Sequence, residues 1–278
     1  MDRLSPLFSR FTLTARVFLA GHICGTTSDH VTQTAGHLHV LRSGVLSILN
    51  KNGKPTVLRE PTVLLYPHPG EHTFQTDGTD IVCAYVEFGP GMLNPLLSVL
   101  PKLLAVPLAT MPELGPTAEL LFAEAFDKKE GRQAAIDRLA EYFLVLLLRS
   151  AMKSRLIDGG IVTALSDSHL ASVVTSMHEG PERAWTLEEL GQIAGMSRAR
   201  FAAHFLSVMG MTPFEYLARW RIGVAQSMLK RGEAMKMVAP AVGYTSAGAL
   251  SRSFSQHVGL SPIAWLHAQR GGEMSRAG

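Results

Sequence analysis

The sequence predicts an α+β protein in two parts: a β-barrel or sandwich with flanking helices, then an all-α part built from two copies of one unit joined by a linker helix. Three observations carry this. Short alternating apolar segments, separated by Asn-Gly, Asp-Gly and Pro-Gly turns, fill residues 11–88. Helical periodicity takes over from Thr117. Residues 190–213 then recur, in register, at 238–262. The 278 residues suit two domains, each of roughly 100–200 residues, expected here as 1–160 and 161–278.

Composition bounds the class. With 46% hydrophobic and 18% charged residues the chain can bury cores and is not disordered. Its longest apolar run, Phe143–Leu148, is far short of the ~20 residues that span a bilayer. The start, Met1-Asp2-Arg3-Leu4-Ser5-Pro6, lacks the basic and apolar regions of a secretory signal. Cys24 and Cys83 make neither a disulfide framework nor a Cys-x-x-Cys pair. A cytoplasmic protein with no membrane partner is expected. The first 158 residues hold 15 basic and 15 acidic side chains, and the rest hold 11 and 8, so the whole net charge of +3 lies in the second part. That permits a polyanion partner without requiring one.

In chain order, strands are expected at Phe11–Phe18, His37–Leu41, Val63–Tyr66 and Ile81–Val86. Turns are expected at Arg42-Ser43-Gly44, Asn50–Pro55, Pro67-His68-Pro69-Gly70 and Thr76–Asp80. Pro95, Pro101, Pro107, Pro112 and Pro116 break the next stretch into short pieces. Two helices follow, Thr117–Phe126 and Gln133–Leu156, joined by the polar turn Asp127–Gly131. The second is apolar on more than one face (Ile136, Leu139, Ala140, Phe143, Leu144, Leu146, Leu147), a stripe wider than one sheet requires. It either packs wholly inside its own domain or forms a homodimer seam.

The repeat is the most specific feature. Leu190–Gly195 matches Val238–Gly243 at a shift of 48, and Ser197, Phe201, Phe205, Gly210 and Pro213 match Ser246, Leu250, Phe254, Gly259 and Pro262 at a shift of 49. Each copy reads as helix, glycine turn, serine N-cap and second helix with apolar residues at i, i+4. That is the construction of a helix-turn-helix, whose second helix enters the major groove. One match is common in any αα-corner; two in register are specific. Between them Pro213 to Lys230 forms a helical strut of about 17 residues, roughly 25 Å long, which would let the two reading helices meet major-groove faces one turn, roughly 34 Å, apart. Pro240 falls harmlessly in a first turn if its helix starts near Met237, and kinks the unit if it starts earlier.

The segments Trp185–Leu190, Ala194–Arg198, Phe201, Phe205, Thr212-Pro213, Tyr216-Leu217, Arg221, then Val238-Ala239, Val242-Gly243-Tyr244, Ser246, Leu250-Ser251-Arg252, Phe254 and Gly259–Pro262 resemble the DNA-binding domain of the AraC/XylS family of bacterial transcription regulators. The resemblance covers about the last 110 residues. The N-terminal part resembles, less specifically, the cupin-type effector-binding domain of one branch of that family. What the resemblance implies is a regulator, usually an activator and often a dimer, that contacts double-stranded promoter DNA and RNA polymerase, takes a small-molecule effector in the β domain, and needs no cofactor.

The family's base-contacting positions fall on Ala199, Ala202 and Ala203 and on Gly248, Ser251 and Arg252. Helical geometry selects nearly the same faces: with Phe201, Phe205, Leu250 and Phe254 inward, Ala199, Ala203, Gly248 and Arg252 point outward. Arg252 can bond guanine O6 and N7, whereas alanines offer only thymine-methyl contact. Many relatives carry arginine where Ala203 stands, so the first reading helix is expected to bind mainly through phosphates, with Arg198, Arg200 and His204 as candidates; the cap serines of the two reading helices, Ser197 and Ser246, are further phosphate candidates. The alternative for Arg198 and Arg200 is a solvated helix end, and for Arg252 a surface ion pair. Arg221 serves either structure or backbone contact, and Trp220 is expected in the core.

In the β domain His37-Leu38-His39 sets two imidazoles on one strand face, and His68 and His72 flank a Pro-Gly turn. With Tyr85, and Tyr66 and Glu87 nearby, these are the candidate effector-pocket residues. Metal-binding cupins follow His-x-His with a glutamate, but Arg42, Ser43 and Gly44 occupy that place here. His37, His39 and His72 alone would leave an open three-histidine site, and no metal is expected. A ligand-modulated DNA-binding regulator, not an enzyme, is therefore the leading expectation. The alternatives are a metal-dependent cupin enzyme with a helical appendage and a regulator that has no effector.

Overall fold

The structure is a computed structural model that describes residues 13–29, 35–49, 54–89, 93–127 and 129–274. Phe11 and Thr12 of the first expected strand, Asn50–Gly53 of the second expected turn, and Lys128 lie outside them. The chain forms two compact units, one of Leu13–Glu87 with Leu100–Ile157, the other containing Phe88–Val99 and everything from Asp158 onward.

The first unit is a six-stranded sheet of β1 (Leu13–Asp29), β2 (Gly36–Leu49), β3 (Thr56–Leu58), β4 (Thr62–Tyr66), β5 (His72–Phe88) and β6 (Leu104–Pro107). The strand order is β1-β5-β2-β4-β6, with β3 paired to β2. β2 runs antiparallel to β3, β4 and β5, and β4 to β6. Two of the expected turns, at Arg42-Ser43-Gly44 and Thr76–Asp80, are instead bulged interiors of the long strands β2 and β5. The reason is local. Gly44 (φ +92°) and Gly78 (φ +60°) sit opposite one another, and a Cβ on Gly44 would stand 2.3 Å from the Gly78 carbonyl oxygen. Two glycines let the strands close at the register shift, so the ladder continues past it.

Two helices cover this sheet, α1 (Gly115–Phe126) and α2 (Arg132–Lys153). α2 caps the edge strand β1: Asp137 Oδ1 accepts from the Val17 amide at 2.8 Å, and Gln133 Nε2 donates to the Val17 carbonyl at 2.8 Å, satisfying backbone groups an edge leaves open. Most of the broad apolar stripe is buried within the chain (Ile136, Ala140, Phe143, Leu144, Leu147, Leu148), Leu139 and Leu146 are half-buried, and Tyr142 is exposed. Arg42 pins α1. Its guanidinium lies 4.9 Å and 5.0 Å over the Phe122 and Phe126 rings while pairing with Asp80 at 2.8 Å.

The second unit contains α3 (Gly160–Ser166), α4 (Leu170–Glu179), α5 (Leu187–Ile193), α6 (Arg198–Met209), α7 (Pro213–Lys230), α8 (Met235–Ala241), α9 (Ala247–Val258) and α10 (Pro262–Met274). The sequence shifts map onto the elements: 48 carries α5 onto α8, and 49 carries α6 onto α9. From α5 onward each helix start has a side-chain cap from its N-cap residue except that of α8. Thr186 and Glu189 form a capping box, and Ser197, Thr212, Ser246 and Ser261 accept from the amides of Arg200, Glu215, Ala249 and Ala264. Both reading helices end on a left-handed glycine, Gly210 and Gly259.

Pro240 is the exception to the late-start condition. α8 begins at Met235, so Pro240 is its sixth residue of seven and forgoes the bond to the Lys236 carbonyl. The cost is confined to the last turn, because α5, without a proline, is also seven residues long and ends at the equivalent place.

Candidate nucleic-acid interface

The reading helices are fixed from beneath by aromatics. Phe201 and Phe205 meet edge to face at 5.7 Å and are fully buried, with Tyr216 of α7 at 5.8 Å from Phe205. In the second copy Phe254 packs on Trp265 at 5.6 Å, beside fully buried Leu250. This seating leaves Ala199 and Ala203 exposed and Ala202 half-buried on α6, and Gly248 and Arg252 exposed with Ser251 half-buried on α9.

The two faces differ in chemistry. On α9 the Arg252 guanidinium lies back over Gly248, 3.7 Å from where a Cβ would be, an ordinary van der Waals separation. Among the described residues Arg252 has no ion pair. On α6 Arg198 pairs with Glu188 at 3.1 Å and both are exposed, a contact worth little in water. His204 Nε2 lies 2.9 Å from Asp167 Oδ2. Asp167 also accepts from the amides of His169 and Leu170 at the start of α4. Burial raises the Asp167 carboxyl, but those two amides and His204 outweigh it and hold it below the ordinary value of 3.8. The hydroxyls of Ser197 and Ser246 accept cap bonds and remain exposed. Glu188 and Asp167, which engage two of the phosphate-contact candidates, gave no periodic signal in the sequence, since Glu188 meets Arg198 across the turn between α5 and α6 and Asp167 meets His204 across two intervening helices.

Arg221 is not directed at solvent. Its Nε donates to the Pro181 carbonyl at 2.6 Å and its Nη2 to the Arg183 carbonyl at 2.8 Å. Trp220 is buried and stacks on His178 at 3.5 Å, and His178 Nε2 lies 2.6 Å from the Tyr216 hydroxyl.

In the β unit the antiparallel register puts His37 opposite Tyr66 and Tyr85, and His39 opposite Leu64 and Cys83. His37, His39 and His72 are all buried, with His39 Nε2 and His72 Nε2 at 2.8 Å. Tyr66 stacks flat on His72 at 4.1 Å, and Phe18 stacks on Tyr85 at 4.2 Å. Among the described residues no group of three or more His, Cys, Asp or Glu side chains is arranged to hold a metal ion. His68 stands apart from the three and lines a cleft of about 490 Å³ with Tyr66, Glu71, His72, Lys102 and Leu103. His72 and Tyr66 thus border both the buried cluster and the cleft. Phe18 on β1 and Lys102 beyond β5 were missed in the sequence because they arrive from segments remote from the histidines, whereas Phe74, two residues after His72 on β5 with its ring 5.0 Å from that imidazole, was within reach of the strand period. Among the described residues no helix is long and apolar enough to cross a membrane.

Comparison with known proteins follows the same division. Residues 2–153 match the Cupin family and residues 190–268 a Helix-turn-helix domain. A putative AraC-like transcription regulator of Streptomyces lividans is 32% identical over 197 residues, 68% of this chain and 63% of that protein. The RCS-specific HTH-type transcriptional activator RclR of Escherichia coli is 28% identical over 231 residues, 81% of each chain. Among solved structures, unsaturated fatty acid bound ToxT from Vibrio cholerae is 16% identical over 92% of this chain and 94% of that one, with a TM-score of 0.43. The chain spans just under two thirds of the Streptomyces relative's length. With its cupin domain ahead of two in-register helix-turn-helix units, the chain belongs to the AraC/XylS family of transcription regulators.

Proposed function

We propose that this chain regulates transcription, as an activator, by binding double-stranded promoter DNA through α6 and α9. The observation that carries the reading is the pair of equivalent reading helices on one strut, each with a bare or cationic outer face. Ala199, Ala202, Ala203, Gly248, Ser251 and Arg252 meet base edges, with Arg252 reading a guanine. Arg198, Arg200, His204, Ser197 and Ser246 meet phosphates. Arg198 exchanges Glu188 for DNA at little expense, because the pair is exposed. His204 reaches a phosphate while also bonded to Asp167.

The reading extends to the other unit. Residues 1–160 form the effector domain and 161–278 the DNA-binding domain. The effector enters the cleft beside His68 and His72 and is sensed through the His37–His39–His72 cluster and Tyr85. The protein works in the cytoplasm, contacts RNA polymerase and pairs as a homodimer through α2, where Tyr142 is exposed. It acts as a regulator rather than as an enzyme, a reading supported by relatives that are themselves named as transcription regulators.

Gel retardation on the DNA upstream of its own gene tests the reading. Binding should occur and weaken steeply as salt rises; failure to retard any duplex at low salt would remove it. Stoichiometric iron, nickel, manganese or zinc in the purified chain would favour the enzyme instead.

A further inference from the structure

The geometry points to Arg221 as a positioning residue that locks the mutual orientation of the two reading helices, and so sets the spacing of the two DNA half-sites. This rests on the DNA-binding reading of α6 and α9. Arg221 lies midway along α7, the element both copies share. Toward the first copy its guanidinium bonds the carbonyls of Pro181 and Arg183, in the loop that leads into α5. That loop is itself stapled: Trp185 Nε1 donates to the Gly180 carbonyl at 2.9 Å, and the Arg183 guanidinium lies 3.9 Å over the Trp185 ring.

Toward the second copy the same guanidinium fills the space beside Gly243, the left-handed residue in the turn between α8 and α9. A Cβ there would meet Arg221 Nη2 at 2.7 Å and the Pro181 carbonyl oxygen at 2.9 Å. The Pro181 backbone of the first copy thus lies against the turn of the second, with Arg221 wedged in the junction. The next residue continues the line. The Tyr244 ring is 5.9 Å from the Arg221 guanidinium, and its hydroxyl lies 2.7 Å from Ser253 Oγ on α9. A continuous path therefore runs from the loop before α5, through Arg221 and the Gly243 turn, into the second reading helix.

The equivalent glycine of the first copy has no such role. Gly195 has nothing within 4 Å of its would-be Cβ. The close approach belongs to the junction and not to the helix-turn-helix as such. Each copy has its own apolar seat on α7, at Phe205 and Tyr216 for the first and at the Leu250–Phe254 face for the second. Removing Arg221 should therefore leave each copy folded and free to bind alone, while loosening the angle between them. Two tethered modules gain from a second site in proportion to how well their geometry is held.

The test uses the full chain and duplexes selected by it from a randomised pool. Each selected duplex is compared with versions in which one half-site is scrambled or the spacing is changed by one base pair. Arg221→Met should weaken binding to the double site roughly tenfold, leave single-site binding within about twofold, and flatten the spacing preference. Arg221→Lys, which keeps the charge without the fork, should show the same pattern at smaller size and serves if the Met variant does not fold. In parallel, spin labels at exposed positions 207 and 256, with Cys24→Ser removing the exposed native thiol, report the distance between α6 and α9 without DNA. The distribution should be narrow in the parent and broad in either variant. Equal losses on single and double sites, or an unchanged distance distribution, would overturn the proposal. If the parent selects no duplex, the DNA reading fails, and the distance measurement still decides whether Arg221 sets the geometry.

Discussion

Arg252→Ala is the sharpest perturbation of the proposed interface. Arg252 is exposed, on the outer face of α9, with its guanidinium over Gly248 and no ion pair among the described residues. Truncating it breaks no intramolecular pair, so folding should change by no more than about 0.5 kcal/mol. The whole effect should then appear on DNA. A bidentate arginine–guanine contact is worth about 1–3 kcal/mol of discrimination, roughly 5- to 150-fold at one base pair. The assay is competition binding of parent and variant to a selected operator and to its single-base-pair variants, at two or more salt concentrations. The variant should lose preference at one base pair, bind that site no better than the parent binds the mismatch, and keep the parent's salt dependence. A uniform loss over all sequences, with the slope of log K against log salt reduced by about 0.9, would make Arg252 a phosphate contact and refute the reasoning.

Ser246→Ala removes the acceptor for the Ala249 amide and should cost about 1 kcal/mol in thermal or urea unfolding. Phe254→Ala empties a fully buried aromatic site under α9 and should cost about 3–5 kcal/mol. Gly44→Ala places a methyl 2.3 Å from the Gly78 carbonyl oxygen at a left-handed φ, and should destabilise the β unit by at least about 1–3 kcal/mol, read from its unfolding transition. The Asp167 carboxyl is held below 3.8 in the folded chain, so its contribution is full above the unfolded value and lost as pH falls through the folded one. Asp167→Asn should therefore lower stability near neutral pH, and its difference from the parent should shrink in acid; a constant difference across pH would contradict this.

The helical unit was legible because its information is local. Caps such as Ser197 and Ser246, the left-handed Gly210 and Gly259, and apolar pairs four residues apart each declare an element within one or two turns, and the 48 and 49 shifts then align the copies. The strand interiors around Gly44 and Gly78 were misread as turns, because a positive-φ glycine serves a bulge as readily as a hairpin and only cross-strand pairing distinguishes them. Pro240 was legible as a departure but not in its consequence, which depended on an uncapped start at Met235. The histidines show the same limit. His37 and His39 share a face by strand period alone, but the 2.8 Å contact with His72 and the stacking of Tyr66 come from pairings between distant segments. Arg221 lies at the extreme, since its two carbonyl partners are about 40 residues away, contacts that no spacing in the sequence encodes.

Hydroxyl-radical footprinting of the full chain on a selected duplex addresses the central claim most directly. Two seated reading helices on one strut should protect two patches on the same side of the duplex, separated by about one helical turn of 10–10.5 base pairs. A single protected patch, or two on opposite sides of the duplex, would contradict it.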